Sequence, residues 1–164
     1  EIFMTRYYEY KWNIFAGMRY AAMNNELNNF HYLTMFYKPT INEINDLFKL
    51  AYGSSRNSIM LSYLYCNYNV LITKDILIDV AIHCFYDTFL YVMYYYFEQG
   101  SEPFSINKHQ LGDILGGTND RVAKLDTLVS LGFAIESYIE ARDAIINNKS
   151  ELYPKASISR HISM

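Results

Sequence analysis

Arg121 and Lys124 stand about one helical turn apart, and Thr118 and Asn119 come just before them. Guanidinium and ammonium groups reach phosphates or the acceptor edge of guanine, and short hydroxyl and amide side chains bond phosphates or base edges. The free N–H groups and positive dipole end of a helix N-terminus favour an anion at the same place. Lys108 and His109 open the preceding short helix, where they can touch a phosphate backbone. The chemistry these six residues suggest is recognition of duplex DNA.

Catalytic chemistry finds less support, and no enzyme activity is expected. The histidines, His31, His83, His109 and His161, are scattered, and no pair has metal-ligand spacing on one helix. His83 can pair with Asp79 four residues before it, which reads as a satisfied structural histidine. Asp79, Asp87 and Glu98 do not form a carboxylate pair suited to acid–base work. Gly116-Gly117 is a turn, because no phosphate-cradling glycine loop precedes a helix in either nucleotide-binding pattern. No nucleophile elbow occurs. Two cysteines, Cys66 and Cys84, are too few for a disulfide framework or zinc site and read as buried free thiols, which fits a reducing cytoplasm. No metal or cofactor is expected.

The elements that position the cations lie in FSINKHQLGDILGGTNDRVAKLDTLVSLGFAI, residues 104–135. Asn107 caps a helix from 108 to 115 that buries Leu111, Ile114 and Leu115. Two glycines make a tight turn. Thr118 caps a second helix over 118–131 that buries Val122, Leu125, Leu128 and Val129, and Gly132 ends it as a C′ residue. Helix, glycine turn and helix make a helix-turn-helix. On Ser105, Leu111, Gly116, Thr118, Arg121, Leu125, Leu128 and Gly132, the segment resembles winged-helix bacterial regulators of the cyclic-AMP receptor protein and MarR classes. That resemblance implies a DNA-binding winged helix whose second helix enters the major groove. Asp120 and Asp126 depart from what phosphates would favour. The helical region before it does not read as a β-rich nucleotide-binding domain, so no cyclic-nucleotide ligand is implied.

Residues 30–72 follow the same plan at an offset of 64: Leu47 matches Leu111, Leu50 Ile114, Gly53 Gly117, Ser54 Thr118, Leu61 Leu125, Leu64 Leu128 and Leu71 Ile135. The matches suggest a second unit, in which Arg56 would be the contact residue. Elsewhere, three- and four-residue apolar steps predict helices over 1–23 and 26–37, the latter stopped by Pro39. Thr40 and Glu43 have capping-box spacing before a helix over 41–51, and a further helix spans 55–67. Val70-Leu71-Ile72 reads as a short strand. One long helix is expected over 76–98. It is very apolar, but Asp79, His83 and Asp87 favour a buried amphipathic helix over a membrane span. Its run Tyr94-Tyr95-Tyr96 cannot face one core, since neighbouring helical residues point about 100° apart. Residues 136–150 fit two readings. Alternation at Ile135, Ser137 and Ile139 before Asn147-Asn148-Lys149-Ser150 gives a β-hairpin wing with Lys149 as a contact; the spacing of Tyr138, Arg142, Ile145 and Ile146 gives a helix.

The fold class expected is mainly α: a winged helix-turn-helix, with a candidate tandem copy joined by a long helix. Residues 1–75 hold the first unit, 76–153 the long helix and winged-helix domain, and 154–164 a polar tail. The function expected is a cytoplasmic, sequence-specific transcriptional regulator binding double-stranded DNA. Two alternatives stay open: a plasmid or phage replication or partition protein, and a winged-helix interaction subunit without DNA binding. A homodimer or partner contact is expected through the tyrosine-rich helix 76–98, with no membrane. No signal peptide is evident. A net charge of −3 runs against loose, charge-driven DNA binding and leaves room for only a local basic patch.

Overall fold

The computed structural model describes residues 2–54, 59–117 and 120–147. Its described residues are mainly helical, and the chain divides into two compact units, Glu1–Thr73 and Lys74–Met164. No helix among the described residues is long and apolar enough to cross a membrane.

The first unit contains α1 (Ile2–Met23), α2 (Leu27–Thr34), α3 (Ile41–Ser54) and α4 (Ile59–Asn67). Met18, Ala21 and Ala22 of α1 are buried with Phe30 of α2. Gly17 lets these helices approach closely, since a Cβ there would stand 3.1 Å from Leu33 Cδ1. The chain reverses between them at Asn25, which adopts a left-handed φ of 55°. Its side-chain oxygen accepts a hydrogen bond from the Met60 N–H at 3.1 Å, satisfying a donor that the first turn of α4 leaves open. Helix α2 ends before the expected stop at Pro39. The capping box of α3 forms as its spacing predicts: Thr40 N–H donates to Glu43 Oε2 at 2.7 Å, and Glu43 N–H donates to Thr40 Oγ1 at 3.3 Å. Residues 70–72 form no strand.

The second unit contains α5 (Lys74–His83), α6 (Tyr86–Glu98), β1 (Ser105–Ile106), α7 (Lys108–Gly116), α8 (Arg121–Ser130), β2 (Ala134–Ile135) and α9 (Tyr138–Ile146). The single helix expected over 76–98 is two helices, broken at Cys84–Phe85, where Phe85 turns extended (φ −66°, ψ 159°). Strands β1 and β2 pair in parallel, Ser105 opposite Ala134 and Ile106 opposite Ile135. The core packs Phe89, Val92, Leu111, Ile114, Leu125 and Leu128. Tyr96, Phe104 and Phe133 close one end of it, with Phe104 edge-on to Phe133 at 5.0 Å between ring centres. Tyr95 and Tyr96 are buried while Tyr94 is exposed, the split that the helical angle requires. Residues 138–146 take the helical reading rather than the wing: Ala141 and Ala144 are buried and Ile139 is exposed, so the apolar alternation does not mark a strand face.

At the 64-residue offset, burial agrees at Leu47 and Leu111, Leu61 and Leu125, and Leu64 and Leu128. It differs at Leu50, half-buried against the buried Ile114, and at the exit, where Leu71 is exposed and Ile135 is half-buried.

Candidate functional site

The segment 104–135 contains α7 and α8, and α7 begins at a well-formed cap. Gln110 N–H donates to Asn107 Oδ1 at 2.9 Å, and Asn107 N–H donates to Gln110 Oε1 at 3.1 Å. These bonds satisfy open donors at the start of α7. Helix α8 ends on Gly132 (φ +92°), with Phe133 N–H bonded to Leu128 O and Gly132 N–H to Val129 O, both at 3.0 Å. That is the double bond pattern of a Schellman stop, which needs the left-handed glycine. Gly117, just after α7, lies against the end of α5. A Cβ on Gly117 would stand 2.2 Å from Ile82 O, so the backbone approach permits only glycine.

Lys124 occupies the centre of this junction and is 1% exposed. Its ammonium donates to Ala81 O at 3.0 Å and to Cys84 O. These carbonyls lie where α5 stops and α6 has not begun, and the negative dipole end of α5 favours a cation beside them. Burial pushes the Lys124 ammonium below its ordinary pKa, while Cys84 and Asp120 push it back up. Burial, aided by Asp79, pushes the Cys84 thiol up to about 12, with Lys124 opposing. Lys124 cannot be the DNA contact expected of it: its charge is spent inside the protein.

The neighbouring groups are also engaged. Arg121 is half-buried, and its Nη1 donates to Leu115 O at 2.6 Å, tying α8 to the last turn of α7. Asp126, expected to repel phosphates, accepts hydrogen bonds from Tyr138 Oη and, at 3.2 Å, from Arg142 Nε. The bond to Asp126 is the first cause of a raised Tyr138 pKa. Thr127 Oγ1 meets Tyr86 Oη at 2.8 Å. No residue from Arg121 to Val129 is exposed. Lys108 and His109 are exposed at the start of α7, and His109 Nδ1 lies 3.1 Å from Asp113 Oδ2. Thr118, Asn119, Arg56 and Lys149 lie outside the described residues.

Residues 74–147 carry eleven Asp and Glu against five Lys and Arg. Of those five, Lys124 is buried, Arg121 is bonded to a carbonyl and Arg142 is paired with Asp126. Lys74 lies over the Phe104 ring, 5.2 Å from its centre. Lys108 therefore stands as an isolated exposed cation of the segment in a surface dominated by acids. Among the described residues, no group of three or more His, Cys, Asp or Glu side chains is placed to hold a metal ion. Cys66, expected to be buried, is exposed; Cys84 is buried.

Sequence reasoning missed the internal role of Lys124. One signal was available: Lys124 precedes Leu128 by four residues, so both fall on one helical face, and at the 64-residue offset it matches the buried Met60. Comparison of the chain with protein-family models, curated proteins and solved structures returns no match.

Proposed function

We infer that residues 74–147 are a helix-turn-helix module that docks a protein partner, serving as an interaction subunit of a larger assembly. The observation that carries this reading is the internal ammonium of Lys124, seated on the carbonyls that end α5. A major-groove reader needs cations projecting from its second helix toward phosphates and base edges. Here the two cations of that helix hold the module together, and acids outnumber the cations left on its surface. The exposed Leu90, Tyr91 and Tyr94 side chains on α6 supply a contact surface of the kind protein partners use.

The test is fluorescence anisotropy of a labelled random duplex with the full chain at low salt. Negligible binding, unchanged in Arg121→Ala, is expected. Tight duplex binding that falls steeply with salt, and is lost in Arg121→Ala or Lys108→Ala while the fold is retained, would establish a DNA-binding regulator and refute the docking reading.

A further inference from the structure

Helix α6 has an exposed stripe. Asp87, Leu90, Tyr91, Tyr94 and Glu98 are exposed, while Thr88, Phe89, Val92, Met93, Tyr95 and Tyr96 are buried. At about 100° per residue, the five exposed positions fall within an arc of about 100° and run along about 16 Å of helix. The middle of the stripe is apolar: Leu90 is 38% exposed, Tyr91 44% and Tyr94 60%. Both ends are acidic, and neither Asp87 nor Glu98 joins an ion pair among the described residues.

Three features define the occupant. Leucine and tyrosine side chains along one helical face match the apolar face of another helix. Asp87 sits at the positive dipole end of α6, where an acid stabilises the helix. Glu98 sits at the negative end, where an acid opposes it, so local helix stability does not explain Glu98. Charge opposes a second copy of the same stripe as the occupant. Antiparallel pairing sets Asp87 against Glu98 of the other copy, and parallel pairing sets each acid against itself, so like charges meet in either arrangement.

Resting on the protein-docking reading, we propose that the α6 stripe binds an amphipathic helix of another protein. That helix carries an apolar centre and Lys or Arg at both ends, to meet Asp87 and Glu98.

The test uses the full chain and two fluorescein-labelled amphipathic helical peptides with the same leucine-rich face, one ending in lysines and the other in glutamates. A labelled random duplex is run in parallel. The Lys-ended peptide is expected to bind about tenfold more tightly than the Glu-ended one. The double variant Asp87→Lys/Glu98→Lys is expected to reverse that order. Tyr94→Ala is expected to weaken the Lys-ended peptide about tenfold. All three positions are exposed, and circular dichroism verifies that each variant stays folded. Equal affinity for the two peptides, no binding of either, or an order unmoved by the double variant overturns the stripe assignment. So does self-association in sedimentation that Tyr94→Ala abolishes. If the duplex is also ignored, only the stripe assignment falls; tight, salt-dependent duplex binding removes the docking reading itself.

Discussion

Replacing Lys124 with methionine separates the two roles this residue could have. Methionine keeps most of the side-chain volume and removes the ammonium. Ala81 O and Cys84 O then lose the hydrogen bonds from that ammonium in a buried site. Each hydrogen bond from a charged donor contributes about 1.5–3 kcal/mol. Against that loss stands relief from burying the charge, which for an ion inside a protein costs several kcal/mol before its partners compensate. The net expectation is a loss of about 2–3 kcal/mol, since both hydrogen bonds from the buried ammonium disappear and methionine offers no donor in their place. In urea unfolding followed by circular dichroism, that lowers the midpoint by on the order of 1 M. An exposed DNA-contacting lysine would leave stability within about 0.5 kcal/mol. A midpoint unchanged in Lys124→Met would refute the claim that this ammonium holds the end of α5.

Two glycines of the same segment are expected to respond with opposite sign. Gly117→Ala forces a Cβ against Ile82 O and is expected to destabilise by about 1–3 kcal/mol; Gly112→Ala, inside α7 with open space around it, is expected to stabilise by about 0.5–1 kcal/mol in the same urea assay. Cys84 makes stability depend on alkaline pH. Its folded pKa is raised from 9.0 to about 12, so the unfolded chain gives up this proton first, and stability present below pH 9 falls between pH 9 and 12 by up to about 4 kcal/mol. Lys124 acts in the opposite sense, because stability rises with pH between its lowered folded value and 10.5. Cys84→Ala should therefore flatten the alkaline fall of the urea midpoint, and an unchanged slope would count against the raised thiol. Ellman's reagent should modify Cys66 at once in the native protein and Cys84 only after unfolding.

Local chemistry made several elements legible in the sequence. Thr40 with Glu43, Asn107 with its helix and Gly132 at the end of α8 act through neighbours a few residues away, so their spacing carries the signal. The break at Cys84–Phe85 carries none, for it contains neither glycine nor proline. It is held by a lysine forty residues downstream whose ammonium donates to Cys84 O. A charged side chain in an amphipathic pattern reads as solvent-facing, and Lys124 reverses that rule because its partners are distant in sequence. Helix α9 was ambiguous because it packs through Ala141 and Ala144, which give a weak apolar periodicity, while its bulky Ile139 and Ile146 point outward. The α6 stripe was visible only as a surplus of tyrosines; which ones face outward depends on where the helix starts, and that moved when the long helix split in two.

The small sheet of the second unit bears on the order in which the unit assembles. Parallel strands cannot close through a tight hairpin, so β1 and β2 meet only after the chain has travelled through both α7 and α8. Two residue pairs offer little return for closing so long a loop, and Glu136 N–H adds a long bond to Ile106 O at 3.4 Å. The ladder is thus a late-forming latch. Damage to it should speed unfolding and leave the folding rate nearly untouched, whereas damage to the Leu111, Leu125 and Leu128 packing should slow folding itself.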